Sequence, residues 1–243
     1  MSLVRSFDPD SPDRAGCARD IVVLAITLHS AGPRASLPWQ LWTQSFSFYR
    51  LAGELDLSSL SIAEFRVEAA DSYSDEARLL EVLSSAWSSW NDPLVVTAQG
   101  ASILLPALRV RSLIRNVALP AVHAFEPIRA ETSNRTGRLR TAHFDVIADL
   151  QLPRARPPLR LPVLFDDLGL AFSATFDQGR HDPRAAAQIL ATATLMLFLR
   201  RCSHTGVVRQ QKATELAASA RETFADVRGP TPWLHPLVRD FEP

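Results

Sequence analysis

The chain has 243 residues, 47% of them apolar and 21% charged, and its 26 basic and 26 acidic side chains cancel to zero net charge. That length and apolar content suffice for one large core, and neutrality excludes strong nonspecific attraction to nucleic acid or to an anionic membrane surface. No charge-free apolar run reaches the roughly 18 residues of a membrane span, and the polar, acidic start carries no signal pattern, so a cytoplasmic protein with no membrane contact is expected.

All the basic residues but Lys212 are arginine. Codon bias in a GC-rich bacterial genome explains this, and so does retention of some arginines for phosphate or carboxylate recognition, where the planar fork differs from an ammonium. Cys17 and Cys202 fit neither a zinc spacing nor a disulfide framework.

In chain order, Pro9, Pro12, Asp13 and Gly16 punctuate a loose N-terminal arm. The β-branched run in "DIVVLAITLHS" predicts a buried strand. "WQLWTQSFSF" and "EFRVEAA" alternate in the manner of strands with one wet face, giving an antiparallel meander over residues 20–70. "SYSDEARLLEVLSSAWSSW" changes period: Ser74 or Asp75 caps a helix, Glu76 sits in its first turn, and Leu79, Leu80, Leu83, Trp87 and Trp90 form its apolar stripe. "LVVTA" then reads as a strand and "SILLPALRVRSLIRN" as a helix. Helix, buried strand and helix in succession imply a sheet flanked by helices, an α/β class with a mixed sheet. "ETSNRTGRLR" is a polar loop, "HFDVIADL" a short structured return, and "LPRARPPLRLP" a proline-rich connection. In "DPRAAAQILATATLMLFLRR" Asp182 caps a long helix and Pro183 takes its first position. A last helix over residues 208–227 covers the sheet or pairs with another chain, which leaves a homo-oligomer open.

Taken together, "SDEARLL", "VVTAQGASILLPALRVRSL" and "HFDV" resemble segments of the DEDD-type 3′–5′ exonucleases, within them the group similar to the proofreading domain of family B DNA polymerases. The likeness spans residues 3–200. It implies a ribonuclease H-like mixed sheet flanked by helices in residues 1–206, with residues 207–243 as a C-terminal helix and tail. Gln99 and Gly100 stand at the family's asparagine-glycine turn, and Leu105 and Pro106 at its leucine and proline. Leu104 stands at its second catalytic aspartate. His143 and Asp145 match its "HxDL" segment. Ala186 and Leu190 hold the places of its C-terminal tyrosine and aspartate. For its first motif, a "DIET" on the opening strand, Asp8 and Asp10 have the i, i+2 spacing, although Pro9 interrupts the strand and the pair reads more simply as part of a solvated arm.

The chemistry implied by the resemblance is two-metal phosphodiester hydrolysis, in which carboxylates hold two divalent ions roughly 4 Å apart. Mg2+ demands oxygen ligands, and leucine supplies none. The expectation is therefore a catalytically degenerate protein with no cofactor, binding single-stranded nucleic acid or a repair or replication protein. The alternative is a residual exonuclease in which Asp8, Asp10 and displaced acids such as Asp166 and Asp167 hold Mg2+ or Mn2+. Arg109, Arg111 and Arg115 on one helix, and Arg135, Arg138 and Arg140 in the following loop, are candidate phosphate contacts or a solvated face. The six histidines form no HExxH pattern and no serine sits in a GxSxG elbow. Trp87 and Trp90, at helical spacing, read as core anchors.

Overall fold

The computed structural model describes residues 20–30, 41–53, 60–91, 93–120, 122, 142–147, 182–204, 206 and 208–228. Its centre is a five-stranded mixed sheet built from β1 (Ile21–Ser30), β2 (Leu41–Ala52), β3 (Ser61–Ala69), β4 (Leu94–Thr97) and β5 (Ala142–Asp145), in the order β3-β2-β1-β4-β5. The first three strands form the expected antiparallel meander, and β4 and β5 run parallel to β1. Parallel neighbours cannot be joined by a tight hairpin; α1 (Glu76–Ser89) lies between β3 and β4, and α2 (Leu105–Arg115) between β4 and β5. Two further helices, α3 (Pro183–His204) and α4 (Gln210–Arg228), complete the described chain.

β1 is central and covered on both faces, which is why it reads as an unbroken apolar run. Ile21, Val23 and Ala25 join one buried cluster with α3 and α4, while Val22, Leu24 and Ile26 join the opposite one with α1 and α2. β2 alternates likewise, Tyr49 and Leu51 toward α3 and Phe46 and Phe48 toward α1. β3 is the edge strand and stays partly open. Asp20 fastens the start of β1 to the end of α1: its Oδ2 accepts the Asn91 N–H at 2.9 Å and its carbonyl the Leu94 N–H at 2.8 Å.

Helix ends follow local chemistry with one exception. At α3 the Asp182 carboxylate accepts the Arg184 and Ala185 N–H groups at 3.0 and 3.3 Å, as the Asp-Pro pair predicts. α2 ends on Asn116 in the left-handed region, φ 53°, with the Val117 N–H returning to the Ser112 carbonyl. At α1 the expected cap is not made. Asp75 takes helical angles, φ −84° and ψ −5°, and its carboxylate accepts the Ser72 hydroxyl instead, so a short 3-10 turn, Tyr73–Asp75, leads into the helix.

α3 is buried on nearly every side, because the sheet covers one face and Ala213, Leu216, Ala217 and Ala220 of α4 lie in the same cluster. The final helix therefore shares the core of the sheet. α3 is also long and apolar enough to cross a membrane by length and composition, but 83% of its most apolar window is buried inside the fold. Cys202 lies in this core, and burial pushes its thiol up to about 12, which leaves it unreactive.

Candidate functional site

The carboxyl ends of parallel strands are where α/β sheets place ligands, and here Thr97 of β4 stands in register with Asp145 of β5. Two residues earlier on β5, His143 points to the same side of the sheet, as i, i+2 spacing requires. Its Nε2 lies 2.8 Å from the Thr97 hydroxyl. Burial pushes the His143 imidazole down to about 4, against the opposing pull of the Asp145 carboxylate, so the ring is neutral near pH 7. Asp145 Oδ1 accepts the Gln99 N–H at 3.0 Å and the Ile147 N–H at 3.1 Å. A carboxylate that holds two backbone amides ties the turn after β4 to the end of β5. The pair thus works as a strut.

Between β4 and α2 the chain makes one wide π-type turn, Gly100–Leu104, entered through Gln99 at φ 59°. The helix expected to open near Ser102 therefore becomes regular only at Leu105. A Cβ on Gly100 would fall 1.8 Å from Thr97 Oγ1 and 2.8 Å from His143 Nε2, so the glycine is required by close approach to these two side chains.

The remaining candidate positions are dispersed. Leu104 is buried at 5% exposure in the apolar cluster on the α1/α2 side of the sheet, whereas Leu190 packs against the cluster on the α3 side. Ala186 is buried near the start of α3. Asp8, Asp10, Arg135, Arg138, Arg140, Asp166 and Asp167 lie outside the described residues. The strand at the centre of the sheet begins only at Ile21, and its adjacent residues facing α3 in mid-strand are Ala25 and Thr27. Among the described residues no three His, Cys, Asp or Glu side chains converge.

The arginines of α2 are engaged within the fold. Glu76, which the sequence places simply in the first turn of a helix, has no exposed surface and accepts from four donors. These are the Thr43 N–H at 2.7 Å, Arg111 Nε at 2.9 Å, Arg111 Nη2, and Arg115 Nε at 2.7 Å. Burial alone would raise the Glu76 carboxyl; the hydrogen bonds from Arg111, Arg115 and the Thr43 amide outweigh it and hold the group below its usual range. Arg115 also donates to the Tyr73 carbonyl at 2.6 Å and lies 3.7 Å from the centre of the Tyr73 ring. Arg109 Nε donates to the Val122 carbonyl at 3.0 Å. Arg111, only 3% exposed, cannot reach a phosphate without breaking this cluster. No signal in the sequence pairs Glu76 with arginines 35 and 39 residues away.

The outward side of α2 is apolar instead. Leu113 and Ile114 are 72% and 51% exposed, and the half-buried Val110 lies one turn before them on the same face. Beside it a groove of about 380 Å³ is lined by Ser112, Leu113 and residues 116–120. Trp87 and Trp90 are buried and pack against each other, centroids 5.2 Å apart, so they serve as core anchors. Neither a family model nor a curated protein matches the chain.

Proposed function

We propose that this chain is a ribonuclease H-like relative of the DEDD exonucleases whose catalytic site has degenerated and which acts by binding. The α/β architecture, a five-stranded mixed sheet with helices on both faces, is compatible with that ancestry. The observation that carries the reading is the chemistry at the family's ligand stations. By the resemblance Leu104, Ala186 and Leu190 stand at three of them, and with Leu104 on the α1/α2 side of the sheet and Leu190 on the α3 side the described fold gathers no ligand set from these positions. None of these can supply the anionic oxygens that a divalent pair requires.

Of the two partner classes the resemblance implies, a repair or replication protein has the better support over single-stranded nucleic acid. Arg111 and Arg115 are committed to Glu76, and the exposed face of α2 offers apolar surface of the kind that marks protein contacts. The test is digestion of 5′-labelled single-stranded DNA by the full chain with Mg2+ or Mn2+. No shortening is expected. A ladder of shortened products that Asp8→Ala abolishes would instead establish the residual exonuclease.

A further inference from the structure

Between α3 and the sheet lies a layer of uncharged polar side chains: Thr27, Ser45, Ser47 and Tyr49 from the strands, Gln188 and Thr192 from the helix. Two hydrogen bonds fix the helix over β2. The Ser45 hydroxyl donates to the Pro183 carbonyl at 2.6 Å, and the Tyr49 and Thr192 hydroxyls meet at 3.0 Å. The four residue steps from Ser45 to Tyr49 span about 13 Å of strand, and the nine steps from Pro183 to Thr192 about 13.5 Å of helix. The two stretches run in the same sense and match in length, which sets Ser47 on the strand and Gln188 on the helix at corresponding levels between the two anchors. Period two keeps Ser47 on the face of Ser45 and Tyr49, and i, i+4 spacing keeps Gln188 on the face of Thr192.

Both residues have no exposed surface, and Ser47 Oγ, Gln188 Nε2 and Gln188 Oε1 have no hydrogen-bond partner among the described residues. The neighbour of Ser47 in register on β1 is Ala25, a small side chain. Folded proteins rarely leave three such atoms unsatisfied together. Their number and chemistry match the two to four polar partners that hold a buried water, and a water satisfies the amide in either orientation because it both donates and accepts. A cation is disfavoured, since the layer contains no carboxylate.

We infer that Gln188 and Ser47 form an internal hydration site between α3 and the sheet, filled by ordered water. It stands independently of the proposed ancestry. A high-resolution crystal structure of the full chain is expected to show water density within hydrogen-bond distance of the Gln188 amide and Ser47 Oγ. In urea titrations Gln188→Leu, which removes the water's principal partner and leaves Ser47 exposed to hydrocarbon, is expected to lower the folded-to-unfolded ratio about tenfold. Ser47→Ala, the milder change, is expected to lower it severalfold. A map with no density there, density that refines as a metal ion, or a Gln188→Leu chain as stable as the wild type or more so would overturn the assignment.

Discussion

Two polar clusters are buried on opposite faces of one sheet, and they are built in opposite ways. On the α1/α2 side, Glu76 is an anion enclosed by three charged or backbone partners, Arg111, Arg115 and the Thr43 amide, whose bonds tie α1, α2 and β2 together. On the α3 side, every group from Thr27 to Thr192 is a neutral hydroxyl or amide. The difference teaches what each cluster can tolerate. A buried charge is stable only while all its partners remain, whereas neutral groups can exchange partners one at a time.

The largest expected effect follows from that contrast. Glu76→Ala leaves the Arg111 guanidinium buried without its counter-ion and is expected to cost about 3–5 kcal/mol, read as a lower urea midpoint. Replacing Glu76 and Arg111 together with leucine and methionine should recover most of the loss, because the charge that remains, Arg115, is partly exposed and keeps its bond to the Tyr73 carbonyl. A double variant no better than Glu76→Ala would show that the cluster works through something other than charge compensation.

Next comes Gly100→Ala, since its Cβ would overlap Thr97 Oγ1 at 1.8 Å and the neighbouring Thr97 Cβ at 2.7 Å. The turn must shift bodily, at about 1–3 kcal/mol, and thermal melts should show it. A wild-type melting temperature would mean that the turn after β4 is not held by contact with Thr97 and His143.

Acid separates the faces further. The folded His143 is depressed to about 4 from an ordinary 6.5, so the unfolded chain binds the proton first, and stability present above pH 6.5 is lost as pH falls toward 4. The shift corresponds to at most about 3 kcal/mol. Glu76, also held low, loses its contribution only as pH falls through the carboxylate range. His143→Gln should therefore flatten the stability profile between pH 6.5 and 4 and leave the steeper loss below it. On the α3 side Tyr49→Phe removes one neutral hydrogen bond, and Thr192 Oγ1 keeps its bond to the Gln188 carbonyl. The expected cost is about 1 kcal/mol, with no change in pH dependence. The smallest effect on stability belongs to Leu113→Glu on the exposed face of α2, expected within about 0.5 kcal/mol in urea titrations of the isolated chain.

What the sequence disclosed and what it withheld divide along the same physical line. Period was enough for the buried strand at Ile21–Ser30 and the stripe of α1, and capping chemistry for the Asp182-Pro183 start of α3, since each depends on residues a few positions apart. The shared side of His143 and Asp145 was also legible, as a property of any strand. Glu76 was not, because its partners reach it from β2 and from 35 and 39 residues along the chain. For the same reason Arg111 reads as one of a row of basic residues on a helix, although it is among the most enclosed charged groups in the described fold. The wide turn at Gly100 was half legible: its glycine stands out in an apolar run, but the need for it comes from how the turn folds back on the Thr97 side chain and from His143 on the neighbouring strand.

The proposed reading requires that the chain have no set of anionic oxygens able to hold a divalent pair, as none converges among the described residues. Titration of the full chain with Mn2+, followed by the electron paramagnetic resonance signal of the free ion, tests it most directly. The account predicts a free-ion signal that rises in proportion to added Mn2+ from the first addition. Saturable uptake of two ions per chain, lost in Asp8→Ala, would contradict it.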